Sequence, residues 1–312
     1  MADLTVVIPS RGAFLGLWAT IHSCHQELEA SGVNADFVVV TNGELGSPEQ
    51  NQCFLALKDK GVLRKHIHSN EPLTPPVARQ RGVAETDSKY VAFFDNHCLV
   101  ARDYFKRALL GMGTYGMDML HSTTIFYANN VHNYEYRLKL DYNFWGEAAS
   151  MPYSTYKPYQ IMVGGHGGFL VKRSAWDEVG GYGPEELFNG YGGEEVLFDL
   201  KMWRYGKSNF IDPKVIHYHY VGDRGYSRHF TDDYYTNMLV TANVIGGEKW
   251  LYKVFDSFIT KSHIRLRPKK HMYDILETAY NKSNVYAKEV DANSKYSLDE
   301  LLVQFRENQV RG

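Results

Sequence analysis

Cysteine is scarce in this sequence. Cys24, Cys53 and Cys98 are an odd number with no CxxC spacing, which excludes a disulfide framework and fits a reducing compartment. An excess of one charge is also missing. The 34 basic and 36 acidic residues give a net charge of -2, too balanced to mark an obligate polyanion binder. Long hydrophobic runs are absent, since no uncharged apolar stretch approaches the roughly 20 residues needed to span a bilayer. The N-terminal run Leu4 to Ile8 is too short for a signal h-region and stops at Pro9. The expectation is a cytoplasmic protein without membrane association. No internal repeat or low-complexity tract is visible. What is present is an ordinary globular composition, 44% apolar and 22% charged, which rules out a disordered or fibrous chain. Aromatic residues reach 14%, with 23 Tyr whose flat faces and hydroxyls suit sugars and bases alike. A chain of 312 residues holds one large α/β domain or two smaller ones.

The hydrophobic pattern predicts strands at Leu4–Ile8, Phe37–Val40, Arg64–His68 and Tyr90–Phe94. Helices are expected between them, from Phe14 to about Ala30, near Pro48 to Lys60 and from about Val77 to Glu85. Strand, helix, strand at this spacing is a βαβ unit, so the sheet is expected to be mostly parallel with helices on its faces. Residues Tyr115 to Pro158 mix strand-like pieces with Tyr- and Asn-rich loops and read as an acceptor-facing insertion. Beyond them come a strand at Phe169–Val171, a helix opened by Ser174 with Asp177 as a capping box, and a helix after Gly192-Gly193. A strand at Lys214–Ile216 follows, and past Arg228 the sequence reads as helical.

Ligands of open parallel sheets gather at the carboxyl ends of the strands, and three constellations fall in such places. Asp95-Asn96-His97 follows the central strand, and an extended backbone there would let Asp95 and His97 grip one cation. A carboxylate with an imidazole suits Mn²⁺ or a similar divalent ion better than Ca²⁺. An isolated acid at a strand end is more often structural, but spacing and location favour a ligand here. His217-Tyr218-His219 is the second constellation, and His217 continues its strand most directly as a further ligand. The plainer explanation is a pair of buried, hydrogen-bonded histidines. The third, Gly190-Tyr191-Gly192-Gly193-Glu194-Glu195, lets backbone approach a ligand and puts two carboxylates at a helix start. A simple N-terminal charge preference explains it about as well alone. Gly111 to Gly116 matches GxGxxG but does not open a helix, so a dinucleotide site is rejected. Lys261, Arg265, Arg267, Lys269 and Lys270 form a basic stretch that either is a solvated face or meets phosphates.

Together these residues resemble the GT-A glycosyltransferases of the family 2 type, closest to the catalytic domain of polypeptide N-acetylgalactosaminyltransferases. The segments that carry the resemblance are Val6-Val7-Ile8-Pro9, Ala78-Arg79 with Gly82-Val83-Ala84, Phe93-Phe94-Asp95-Asn96-His97-Cys98, Met162-Val163-Gly164-Gly165, Gly192-Gly193-Glu194 and Val215-Ile216-His217. They run in family order from about residue 4 to 221. The resemblance implies a GT-A domain over 1–228, with a donor half about 1–110 and an acceptor half about 111–228, then a helical extension over 229–312. It implies a D-x-H metal motif holding Mn²⁺ or Mg²⁺ through Asp95, His97 and His217, with His219 the competing third ligand. It further implies that a nucleotide-diphosphate sugar meets Pro9, Ser10, Arg11, Asn42, Arg79, Asp95, Asn96, Gly164 and Gly165. Arg79 would add positive charge, Glu194 would hold sugar hydroxyls, and Glu195 would deprotonate the acceptor if the anomeric centre inverts, whereas retention, which the nearest resemblance implies, needs no such base. Two departures stand out. Thr41-Asn42 replaces the acidic residues that usually meet the base or ribose, and Tyr220 replaces an arginine, for which Arg224 is a candidate substitute. The expected acceptor is a hydroxyl on a glycan, small molecule, protein or hydroxymethylated DNA base. The competing class is a non-catalytic nucleotide-sugar or carbohydrate binder.

Overall fold

The computed structural model describes residues 2–12, 14–43, 48–127, 133–138, 146–149, 157–220, 231–260 and 268–310. Much of the Tyr-rich middle section, Arg224 and the basic residues Lys261, Arg265 and Arg267 lie outside these residues. The first half alternates β1 (Leu4–Arg11), α1 (Phe14–Ser31), β2 (Ala35–Asn42), α2 (Pro48–Asp59), β3 (Leu63–Ser69), α3 (Pro75–Ala84) and β4 (Tyr90–Phe94). Then come β5 (Cys98–Val100), α4 (Tyr104–Thr114), β6 (Met119–Tyr127), β7 (Asn133–Leu138), β8 (Gly146–Ala149), β9 (Tyr159–Gln160) and β10 (Gly168–Lys172). The remainder is α5 (Arg173–Val179), α6 (Glu194–Arg204), β11 (Asn209–Tyr220), α7 (Asp232–Thr260), α8 (Lys269–Asn293) and α9 (Leu298–Val310).

The main sheet runs β3-β2-β1-β4-β10-β6-β11-β5. Its first four strands are parallel, as the βαβ spacing predicts. β10 enters antiparallel to both β4 and β6, while β11 returns parallel to β6. The expected helix-flanked α/β sheet is what the chain forms, parallel from β3 to β4 but mixed beyond it, because β10 and β5 pair antiparallel to their neighbours. Its consecutive apolar runs are explained by burial on both faces. Leu4, Val6 and Ile8 face Leu17, Ile21 and Cys24 of α1, whereas Val7 faces the α3 side with Val38, Val40 and Phe93. The expected C-terminal helices are α7, α8 and α9, and they share one core with α6 through Leu197, Leu200, Trp203, Leu239, Leu276 and Leu301.

Three local expectations differ. The strand expected at Lys214–Ile216 spans Asn209–Tyr220, because a register shift between Asp212 and Ile216 lets pairing with β6 continue past Pro213. The capping box is not formed: Lys172 is the N-cap, without a side-chain cap bond, and Asp177 instead accepts the Arg173 Nε–H at 2.8 Å. The backbone after β4 turns rather than staying extended, yet it still brings Asp95 and His97 together. The rejected GxGxxG match lies in the last turns of α4 and just beyond them.

The crossing of α3 over β1 depends on Gly82. A Cβ there would lie 2.4 Å from Val7 Cγ1, and Val7 is fully buried in mid-sheet and has nowhere to move. Alanine gains about 1 kcal/mol of helix propensity at best, against about 1–3 kcal/mol for overpacking. Gly82→Ala is expected to lower the unfolding free energy by about 1–2 kcal/mol in chemical denaturation.

Candidate active site

The carboxyl ends of β1, β2 and β4 meet at one edge. There the register sets Ser10 and Arg11 beside Thr41 and Asn42, which in turn pair with His68 and Ser69. Pro9 is half-buried, Ser10 is buried and Arg11 is exposed at this edge. Asn96, just after β4, donates from Nδ2 to Ser10 Oγ at 2.7 Å and so locks the end of β1 to the turn carrying Asp95 and His97. Asn42 is buried, and its Oδ1 has no hydrogen-bond partner in the structure.

Asp95 is held on both oxygens. Arg79 Nη2 donates to Oδ1 at 3.1 Å, and His219 Nε2 lies 3.2 Å from Oδ2. The same Arg79 nitrogen donates to the His166 carbonyl at 3.0 Å, and Nη1 reaches the Tyr182 hydroxyl at 3.4 Å. The Arg79 side chain is 3% exposed and that of Asp95 is 32% exposed, so the pair joins a dry cation to a partly open carboxylate. Burial opposes ionisation of Asp95, but the hydrogen bond from His219 and the Arg79 charge outweigh it and hold the group well below the usual carboxylate range.

His97 completes a triad. Its Nε2 lies 3.1 Å from His219 Nε2, its Nδ1 is 2.8 Å from Asn96 Oδ1, and the ligand atoms of Asp95, His97 and His219 fall within 4.8 Å of one another. His217, expected as the third member, is not part of this group. It lies two residues, about 6–7 Å, earlier along β11, under Gly168, where its Nδ1 meets Ser122 Oγ at 2.7 Å and its Nε2 lies 3.4 Å from Thr124 Oγ1. Burial pushes its pKa down to about 3, which fits a neutral structural imidazole. What separates the two histidines is the length of β11, which carries His219 and not His217 to the sheet edge.

The segment expected to line the donor sugar runs beside Asp95. Gly165 is half-buried, Gly164 is buried against the His121 ring, and the Gly167 carbonyl accepts the Asp95 backbone N–H at 3.1 Å. Glu194 and Glu195 open α6. Gly192 donates its N–H to Glu194 Oε2 at 2.9 Å. Burial raises the pKa of both carboxyls, and for Glu195 the Glu194 charge adds to the rise. Residues that sequence reasoning missed hold this loop from α7. The Asn237 side chain brackets Asn189, Thr241 donates to the Gly193 carbonyl at 2.9 Å, and Tyr234 packs where a Gly192 Cβ would be. Nothing in the local sequence of α7 marks these contacts.

Among the described residues, no helix is long and apolar enough to cross a membrane. No curated protein matches the sequence. Solved structures do share its fold. A crystal structure of GalNAc-T7 with UDP, GalNAc and Mn²⁺ aligns at a TM-score of 0.66 and 16% identity, covering 90% of this chain and 56% of that one. This chain thus spans little more than half of that protein. S. aureus TarS 1-349 aligns at a TM-score of 0.60 and 12% identity, covering 93% of this chain and 83% of that one. Its complex with UDP-GlcNAc aligns at 0.59 and 14%, with the same coverage. At these identities the likeness concerns the GT-A fold. The family model for glycosyl transferase family 2 matches residues 5–180, more than half of the chain and the whole stretch from β1 through Asp95 to α5, and the protein therefore belongs to glycosyl transferase family 2.

Proposed function

We propose that the chain transfers a sugar from a nucleotide-diphosphate sugar to an acceptor hydroxyl with the help of a divalent cation held by Asp95, His97 and His219. The observation that carries this reading is the triad itself, at the carboxyl edge of the sheet in a family 2 chain. The GalNAc-T7 and TarS complexes with UDP, Mn²⁺ or UDP-GlcNAc support the donor class. The donor set fits Mn²⁺ or Mg²⁺, with two imidazoles and a carboxylate favouring the former. When bound there, such an ion supplies positive charge against the diphosphate leaving group.

The protein's own residues do the rest. Arg79 keeps Asp95 ionised and fixed, so it acts as a positioning residue more than as the direct donor contact expected of it. Pro9, Ser10, Arg11, Asn42 and Asn96 form the nucleotide side, where the buried Asn42 Oδ1 accepts a hydrogen bond from the donor. Gly164 and Gly165 line the sugar, and Glu194, anchored at Gly192, holds its hydroxyls. Glu195 removes the proton of the acceptor hydroxyl as the new bond to the anomeric carbon forms on the face opposite the diphosphate. Its raised pKa makes it a stronger base once deprotonated. Residues 1–228 form the catalytic part, and 229–312 form a helical extension that supports the Gly190–Gly193 loop.

Transfer is read by mass spectrometry of a panel of acceptors, hydroxymethylated DNA included, after incubation with Mn²⁺ and a set of nucleotide sugars. Asp95→Ala and His219→Ala are expected to reduce turnover at least about 100-fold, and chelation of the wild type has the same effect, reversed by Mn²⁺. His217→Gln is expected to lower stability while keeping the metal dependence. Wild-type turnover in His219→Ala overturns the ligand set. Nucleotide-sugar binding without transfer or hydrolysis would make the protein a binder.

A second outcome concerns pH. Because Glu195 must be deprotonated to act and its pKa is raised, kcat/KM is expected to climb with pH through the neutral range. Glu195→Gln should lose that limb and about 10²–10⁴-fold in rate. A product that keeps the donor's anomeric configuration, seen by NMR, excludes this role.

A further inference from the structure

Three titratable side chains with no part in the sugar-transfer reading converge in the core behind the Gly164–Gly165 segment. His121 comes from β6, His166 from the stretch before β10, and Asp199 from α6. All three are fully buried, and their ligand atoms lie within 4.8 Å of one another. His166 Nε2 is 2.9 Å from Asp199 Oδ1, and His121 Nε2 is 3.3 Å from Asp199 Oδ2. We propose that His121, His166 and Asp199 form a second, closed metal site that takes a borderline divalent cation, Zn²⁺ first among them, in a structural role.

The geometry separates this from a hydrogen-bonded cluster. His121 Nε2 lies at ion-pair distance from Asp199 Oδ2, 3.3 Å, yet this fully buried ring nitrogen does not reach hydrogen-bond geometry with it. A lone pair that converges on a shared cation, and not on an oxygen, gives this combination of a short separation and poor alignment. Each ring meanwhile turns its other nitrogen to an outer group. His166 Nδ1 meets the Tyr182 hydroxyl at 2.9 Å, and His121 Nδ1 lies 3.3 Å from the Gly165 carbonyl. Asp199 Oδ2 also accepts the Gly164 N–H at 2.6 Å. Outer contacts of this kind orient the ligands of protein metal sites. Two imidazole nitrogens and a carboxylate oxygen supply three donor atoms. Full burial keeps any further coordination position closed to substrate.

The position of the cluster gives it a task. It joins β6, the 164–166 segment and α6, and the His166 carbonyl is one of the groups that receive Arg79. A cation here fastens the donor-sugar segment to the helix that begins with Glu194 and Glu195. This assignment does not depend on the sugar-transfer reading, and its test does not measure transfer.

The test uses untagged full chain carrying His97→Ala and His219→Ala, which removes the other triad. The protein is unfolded and refolded with Zn²⁺ or Co²⁺, dialysed, and assayed by atomic emission, visible absorption and thermal melting. The expected result is about one metal per chain, tetrahedral Co²⁺ bands, and a melting temperature above that of metal-free protein. Adding His166→Gln and Asp199→Asn is expected to abolish metal and bands together. If those variants do not fold, the Co²⁺ spectrum of the His97→Ala, His219→Ala protein decides alone. Folded protein of that background with no retained metal and no Co²⁺ bands overturns the site and leaves Asp199 in a metal-free hydrogen-bonded pair.

Discussion

A guanidinium with 3% exposure cannot stay inside a protein without an anion, and the Arg79–Asp95 pair meets that demand at the end of β4. Much of the site's geometry follows from it. Arg79 occupies Asp95 Oδ1, which leaves Oδ2 to face His219. The carboxylate stays charged because one side is dry and cationic while the other is partly open. Arg79 also takes the His166 carbonyl, so the segment bearing Gly164 and Gly165 is tied to the same charge. One ion pair thus links the edge proposed to hold a cation and the strip proposed to meet the sugar. α3, which carries Arg79, is pressed onto β1 by the absence of a side chain at Gly82.

The parallel half of the fold was legible because its signal is local. Buried parallel strands show as consecutive apolar runs, and Leu4–Ile8, Phe37–Val40 and Tyr90–Phe94 each carry one. The acidic end of β4 and the glycines before α6 were legible for the same reason. The choice between His217 and His219 was not. Both lie on the same face of β11, and only the strand's length decides which one reaches the edge. That length depends on a register shift beside β6, a pairing across about 90 residues that no local pattern reports. The capping box at Ser174 failed for a local reason, since the helix already begins at Arg173, which takes Asp177 in an i,i+4 pair.

The C-terminal helices show the limit of dividing the chain by sequence at 228. α6 lies before that boundary, yet its apolar residues pack into one core with α7, α8 and α9. Asn237, Thr241 and Tyr234 hold the backbone of the Gly190–Gly193 loop, and Gly193 sits at a φ of 85° where a Cβ would meet the Asn237 carbonyl at 2.8 Å. A loop in that conformation needs an external support to persist, and α7 provides it. Lys201 of α6 adds a buried link, donating to the Tyr286 hydroxyl of α8 at 2.6 Å. The extension is therefore part of what places Glu194 and Glu195.

Exposure separates two clusters built from the same ligand types. Asp95, His97 and His219 are half-buried at a strand edge, so a cation there keeps coordination positions for a diphosphate. His121, His166 and Asp199 are sealed, so any cation there is limited to holding elements together. The two are connected through Arg79, which bonds Asp95 on one side and the His166 carbonyl on the other. One side chain thereby joins the closed cluster to the open one. A catalytic cation gains from ligands that do not move when charge builds on the leaving group, because preorganised groups cost no reorganisation at that moment. Under the proposed reading, the half-open triad is held by the dry, fully packed cluster to which Arg79 ties it.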